Sequence, residues 1–273
     1  MNLSDLQVYR GRSVSPVHYQ QPVTNGWESV DTEVIVEAPV SLTVNNEVWL
    51  TFMCTPIDLE LMAVGFLFNE GVITSASEIA DVRVCAAGDN IDVWLHHNVE
   101  KPLSWRRTSG CTGGMTSVTH KTSERKILNG GVLSTGQVSN LIGQLFESQE
   151  LYRLSGGVHT SGLSDGQIIV AVAEDIGRHN TLDKLAGRVL LEGIHLPRRI
   201  ILTTGRISSE MLQKSSRMQA SVVISRTSPS SLSIEMAESL GITLIGYARR
   251  NRFNVYTHPG RIVSSLQLEH LEQ

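Results

Sequence analysis

The second half of the chain alternates short apolar runs with amphipathic stretches, and this alternation limits the possible folds more than any other feature. Residues 168–173, 200–204, 222–224 and 242–245 are strand-length and apolar almost throughout. The first three lead through a polar loop into a stretch with helical spacing, at 180–191, 208–218 and 232–240. A strand without polar alternation is buried on both faces, and intervening helices supply the cover. The pattern predicts an α/β domain. Ser134 or Thr135 can cap a further helix carrying Val138, Leu141, Ile142, Leu145 and Phe146, residues 155–159 form a glycine-rich turn, and 253–257 return as a strand.

The first hundred residues follow another pattern. Residues 1–26 contain Gly11, Ser13, Ser15, Pro16 and Pro22 and are expected to be an irregular lead-in. Strands are expected at 34–36, 40–44 and 48–53, with Asn45-Asn46 turning a hairpin. Thr55-Pro56-Ile57-Asp58 is expected to open a helix, with Thr55 as N-cap and Pro56 at the first helical position, running to Gly71. Two more strands follow at 82–85 and 91–94. The expected organisation is therefore a smaller α+β subdomain over 1–108, a mobile cysteine loop and junction over 109–130, and a larger α/β domain over 131–273.

The junction holds Ser109-Gly110-Cys111-Thr112-Gly113-Gly114-Met115. Three glycines give the thiol a permissive backbone. Arg106 and Arg107 before it, and His120 and Lys121 after it, favour the thiolate over a thiol of ordinary pKa about 8.5. Cys54 and Cys85 sit among apolar neighbours and are expected in the core. Three widely spaced cysteines make neither a disulfide framework nor a zinc pattern. The N-terminus lacks the basic and apolar regions of a secretory signal, and no apolar run approaches the roughly 18 residues of a membrane span. These features lead to the expectation of a cytoplasmic protein with reduced thiols and no membrane partner.

A formal net charge of −4 conceals an asymmetry. Between Trp27 and Asp81 there are ten acidic residues and no Lys or Arg; between Pro197 and Thr257, nine Lys and Arg face three Glu. In open α/β sheets ligands bind beyond the carboxyl ends of the strands. Those ends carry Asp175, Arg178 and His179; Gly205 and Arg206; Arg226, Thr227 and Ser228; and Arg249, Arg250 and Arg252. Three of the loops enter helix N-termini, whose free N–H groups favour anions, and guanidinium forks suit phosphate. The expected ligand is a large polyanion, a nucleotide or a phosphate-bearing cofactor. No Walker loop and no G-x-G-x-x-G after a strand occurs, and the paired cysteines and His/Glu set of a zinc deaminase are missing. Aromatics at 5 % with an acidic net charge offer no stacking platform for nucleic acid, so no nucleic-acid partner is expected. A Cys–His hydrolase with His159 or His179 as base is not excluded, although nothing in the sequence brings either to Cys111.

Ordered motifs run through nearly the whole chain. They are Thr55-Pro56-x-Asp58-Leu59-Glu60, Gly65-Phe66-Leu67-Phe68-x-Glu70-Gly71, Ser109-Gly110-Cys111, Ser155-Gly156-Gly157-Val158-His159 and Glu174-Asp175-x-Gly177-Arg178-His179-Asn180-x-x-Asp183-Lys184, then Gly205-Arg206 and Arg252-Phe253-Asn254-Val255-Tyr256-Thr257. The series resembles the formate dehydrogenase accessory sulfurtransferase family (FdhD). The resemblance implies a sulfur carrier that a cysteine desulfurase loads. It would pass sulfur to the molybdenum (or tungsten) bis(molybdopterin guanine dinucleotide) cofactor, bound transiently, before insertion into formate dehydrogenase. It also implies a homodimer, and a large domain with the three-layer cytidine deaminase-like fold without the deaminase zinc ligands. Cys111 corresponds to the persulfide carrier, and Arg252, Phe253, Asn254, Val255, Tyr256 and Thr257 to the closing cofactor segment. Gly205, Arg206, Asp175, Arg178 and His179 complete the expected cofactor site, with no metal held by the protein. Asp175 would either orient His179 or accept hydrogen bonds from a guanine edge. Many members carry a second cysteine where this chain has Gly114, so a loop disulfide cannot release the sulfur here. The alternative is a non-catalytic cofactor-binding chaperone in which Cys111 is dispensable.

Overall fold

Residues 11–102, 105–107, 115–117, 127 and 131–264 are described by a computed structural model, and they build a mixed α/β chain of several sheets. The lead-in is not irregular. β1 (Val14–Val23) and β2 (Gly26–Ile35) pair antiparallel along their full length as a two-stranded ribbon. Its strands are mostly exposed on both faces, so the apolar runs that announce a buried strand are missing there. β3 (Ala38–Val44) and β4 (Glu47–Cys54) form the expected hairpin, with Asn45 and Asn46 both at positive φ as a two-residue turn requires. Helix α1 (Leu59–Asn69) starts four residues later than Thr55. Thr55 spends its polar groups on the large domain instead of capping. Its N–H donates to Asp175, and its hydroxyl accepts from the Ile176 N–H. β5 (Ile79–Val84) and β6 (Asn90–Leu95) complete a sheet of order β4-β3-β6-β5, whose inner face packs on α1 through Val40, Leu42, Phe52, Ile91 and Val93. Cys54 lies in that core, whereas Cys85 does not: it is half-buried beyond β5, with its thiol donating to Asp89 at 3.0 Å.

β7 (Trp105–Arg107) and β8 (Met115–Ser117) then pair antiparallel, Arg107 opposite Met115. Beyond them β9 (Leu133–Ser134) leads into α2 (Thr135–Glu147); of the two candidates Ser134 is the cap, reciprocally with Gln137. A short α3 (Glu150–Ser155) ends at Gly156 in the left-handed conformation. β10 (His159–Ser164), β11 (Ile169–Asp175), α4 (Arg178–Leu191), β12 (Ile200–Thr203), α5 (Ser209–Arg217), β13 (Val222–Ser225), α6 (Ser231–Leu240), β14 (Thr243–Arg249) and β15 (Arg252–Val255) follow, and β16 (Ile262–Val263) pairs with β9. The six-stranded sheet has the order β11-β10-β12-β13-β14-β15; β12, β13 and β14 run parallel, and β10 and β15 oppose their neighbours. One face buries Leu182, Leu185, Met211, Leu212 and Ala237 from α4, α5 and α6, and the other buries Val138, Leu141 and Leu145 from α2.

The smaller sheet reaches the larger one through α1 against α4. A Cβ on Gly65 would lie 1.7 Å from the Asp183 carbonyl oxygen, and one on Gly187 would lie 1.9 Å from that of Leu61. Backbone meets backbone here, which only glycine permits. The seam is also tied by buried ions. Lys184 binds Asp175 at 2.7 Å with both side chains fully buried, and Lys214 binds both oxygens of Asp183 at 2.6 Å while Asn69 of α1 adds a third donor. Burial pushes the Asp183 carboxyl up from its ordinary range, against the pull of Lys214.

Candidate functional site

The strand directions bring every expected loop to one edge of the large sheet. β11, β12, β13 and β14 end there, β10 and β15 begin there, and α4, α5 and α6 start there. Gly205 packs on Arg178: a Cβ would sit 2.9 Å from that side chain's Cβ and 3.0 Å from its Cδ. The turn itself is held by hydroxyls. The Gly205 N–H donates to Thr203 Oγ1, and Ser225 Oγ donates to the Gly205 carbonyl at 2.7 Å.

Asp175 takes neither of the two roles left open by the sequence. Fully buried, it accepts from the N–H groups of Thr55 and Gly177, from Asn180 Nδ2 and from Lys184 Nζ. Four donors fill both oxygens, so the carboxylate anchors the α4 N-terminus to α1's approach. Asn180 reinforces this by donating to the Met53 carbonyl of β4. Positions 174 to 184 are thus largely the foundation of the site.

Two histidines face the edge. His179 is buried, with Nε2 3.5 Å from Ser208 Oγ and 4.0 Å from Glu210, and Ser208 Oγ donates to Glu210 at 2.8 Å. Burial, reinforced by Lys214, Arg178 and His159, holds its pKa well below the ordinary 6.5. His159, half-buried, meets Thr204 Oγ1 through Nδ1 at 3.3 Å, and burial followed by Arg178 lowers its pKa as well. Both environments favour the neutral ring. Thr204, Ser208 and Glu210 were not anticipated; Ser208 two residues before Glu210 at a helix start was the signal available.

Around this floor stand the arginines. Arg206 and Arg252 are exposed, and Arg226 lies with its guanidinium 5.2 Å from the Phe146 ring centre. Arg249 donates to the carbonyls of Arg226 and Ala248. Among the described residues none of these four pairs with a carboxylate, whereas Arg250 binds Glu147 at 2.9 Å. Beside Arg226 a small cavity lies between Leu202, Ile224 and Ala248 of the sheet and Ile142, Leu145 and Phe146 of α2. In the closing segment Phe253 and Val255 pack on the α2 side of the sheet, Tyr256 packs on the opposite core, and Thr257 is buried, bridging the Ile242 carbonyl and the Leu244 N–H. Arg252 and Asn254 alone of these six present exposed side chains. Cys111 and Gly114 lie outside the described residues, in the stretch of sequence between β7 and β8.

A family model for the FdhD/NarQ family matches residues 35–263, which takes in both sheets, the α1–α4 seam and the arginine edge. The chain belongs to the FdhD/NarQ family. Similar curated relatives include the sulfur carrier protein FdhD of Staphylococcus aureus strain MRSA252 and that of strain Newman. Each is 32 % identical over 249 residues, covering 86 % of this chain and 91 % of the relative. A crystal structure from Desulfotalea psychrophila, of a protein described as a formate dehydrogenase accessory protein, superposes with a TM-score of 0.78 at 31 % identity, over 92 % of this chain and all of that one. Family membership thus extends over the seam and the rim alike. Among the described residues no helix is long and apolar enough to cross a membrane.

Proposed function

We propose that this family member is a cytoplasmic sulfur carrier serving formate dehydrogenase. Cys111 accepts sulfur from a cysteine desulfurase: its thiolate attacks the terminal sulfur of the donor's persulfide, and the donor leaves as a thiolate. The cargo acceptor is the molybdenum (or tungsten) bis(molybdopterin guanine dinucleotide), held transiently at the arginine edge, with the chain acting as a homodimer. The observation that carries the reading is the set of arginines 206, 226, 249 and 252, which converge on one sheet edge without carboxylate partners among the described residues. Arg206 and Arg252 are exposed and Arg226 and Arg249 half-buried; guanidinium groups without acids are suited to pyrophosphate oxygens, which they bind by charge-assisted forks. His159 and His179, whose surroundings favour the neutral form, add ring nitrogens that can hydrogen-bond. The order β11-β10-β12-β13-β14 with helices on both faces supports a cytidine deaminase-like large domain. Because position 114 is glycine, no second loop thiol can supply the two electrons that release the outer persulfide sulfur as sulfide by forming a disulfide; a reduced acceptor cofactor, an external thiol or another reductant would supply them.

The test is intact mass after incubation with a cysteine desulfurase and cysteine, beside Cys111→Ala. The parent gains one sulfur atom that reduction removes, and the variant gains none. No gain in the parent with an active desulfurase would transfer the function to cofactor binding alone, the chaperone reading.

A further inference from the structure

Asp175 has both oxygens filled by its own scaffold and cannot read a base, yet another acid stands at the arginine edge. Glu210 lies in the first turn of α5, four residues after Arg206, and no Lys or Arg pairs with it among the described residues. Its neighbours in sequence are differently placed: Glu235 and Glu238 lie further along α6. The loop that carries Glu210 runs beside the next one, the Ile207 N–H donating to the Ser228 carbonyl and the Ser230 N–H to the Ile207 carbonyl. α5 therefore begins beside both Arg206 and the Arg226 loop. The carboxylate is held from behind. A serine hydroxyl has one hydrogen, and Ser208 gives it to Glu210 Oε2 at 2.8 Å, since a carboxylate only accepts. The 3.5 Å contact between His179 Nε2 and Ser208 Oγ then runs in one direction, from ring N–H to hydroxyl. A neutral ring with its hydrogen on Nε2 satisfies it, and burial favours that neutral form. The His179 side chain is 5 % exposed and that of Glu210 24 %, so the chain of donors leads from the interior to the open edge. Among the described residues Glu210 Oε1 has no partner, and Oε2 keeps a second lone pair.

A carboxylate repels phosphate, so at a phosphate-binding edge it is useful only against a part of the ligand that donates. The guanine of the cofactor proposed above has such a part: its N1–H and N2 amine lie side by side, two donors for the two oxygens of one carboxylate. A pterin ring carries the same 2-amino-4-oxopyrimidine edge. We propose, on that cofactor reading, that Glu210 is the acceptor that reads the 2-amino-4-oxopyrimidine edge of the ligand, while the arginines take its phosphates. Ser208 and His179 are its positioning residues: they aim the carboxylate before the ligand arrives, so none of its orientation is left to be fixed on binding. Glu210 thereby selects the base, a task that arginines gripping pyrophosphate cannot perform.

The experiment is calorimetric titration of the full-length chain with two pairs of ligands that differ at C2 of that ring. They are GDP against xanthosine diphosphate, and pterin against lumazine; the first of each pair has an amine at C2 and the second a carbonyl. The parent is expected to bind GDP at least about tenfold more tightly than xanthosine diphosphate, which turns a carbonyl on the carboxylate. Glu210→Gln exchanges one acceptor for a donor, so the preference should reverse, a gain that mere loss of structure cannot give. Ser208→Ala should narrow the parental ratio, and Ser208→Thr, which keeps the hydroxyl, should restore it; a parental ratio in Ser208→Ala overturns the positioning role. A reversal in the nucleotide pair assigns the edge to guanine, and a reversal in the pterin pair alone assigns it to the pterin. Far-ultraviolet dichroism confirms folding. Should Glu210→Gln misfold, Glu210→Asp withdraws the carboxylate by one methylene and should bring the ratio towards one; a parental ratio there overturns the proposal. A parent without either preference, or a folded Glu210→Gln that keeps both, also overturns it, and the cofactor reading stands if Arg252→Ala still loses GDP. A parent that binds none of the four ligands overturns Glu210 and the cofactor site together.

Discussion

The α1–α4 seam and the arginine rim are both rich in charge, and they use it in opposite ways. At the centre of the seam the ions are buried and answered: Lys184 by Asp175 and two carbonyls, Lys214 by both oxygens of Asp183. At the rim, arginines 206 and 252 stand in solvent, and no acid among the described residues meets them. A buried ion costs too much desolvation to remain without a partner, whereas an exposed guanidinium costs little and keeps its donors for a ligand. Completed charge marks the scaffold, and uncompleted charge marks the proposed site.

Five variants test that contrast. The largest effect is expected from Asp183→Asn, which leaves the Lys214 ammonium buried without a counter-ion. It should cost about 3–5 kcal/mol, as breaking a buried pair does. For a chain of this size that is a fall in Tm of roughly 10 °C, measured by calorimetry. The joint change Asp183→Leu with Lys214→Met removes both ions and should lose clearly less; an equal loss would show that volume, not charge, governs the seam. Next comes Gly65→Ala. Its Cβ would overlap the Asp183 carbonyl, so the helices must part, at about 1–3 kcal/mol or more in chemical denaturation.

At the rim the sign pattern reverses. Arg252→Ala should leave Tm within about 1 °C, since a solvated surface substitution away from other features moves stability by less than about 0.5 kcal/mol. Its affinity for GDP, by calorimetric titration, should fall about 10- to 100-fold, the worth of charge-assisted hydrogen bonds. Parental affinity would remove Arg252 from the cofactor site. The smallest effect concerns His179, which joins the two regions. Its folded pKa lies below the ordinary 6.5, so between those values the unfolded chain binds more protons and stability falls as pH falls. The slope from this ring is at most about 1.4 kcal/mol per pH unit, beginning near pH 6.5. His179→Gln should flatten the stability profile between pH 6.5 and 5 by that contribution; an unchanged profile would mean the ring is not held neutral.

The sequence by itself determined the α/β grammar of the second half, the β3–β4 hairpin, a cap at Ser134 or Thr135 and the convergence of the arginine loops. Each is a local signal: apolar runs, turn residues, a hydroxyl before an apolar period, strands that must end at one edge. It left β10 unrecognised, because Thr160, Ser161 and Ser164 are buried there as hydrogen-bonded polar groups, with Thr160 donating to Glu174 and Ser161 to Thr203. A strand that satisfies hydroxyls on neighbouring elements carries no hydrophobic period. The ribbon escaped notice for the opposite reason, having too little buried on either face to leave a pattern. Only the tertiary structure decided that Asp175 is an anchor and not a ligand, and that Thr55 serves the large domain and not its own helix. A carboxylate's role depends on which donors reach it first, and for Asp175 those come from residues up to 120 positions away in the chain.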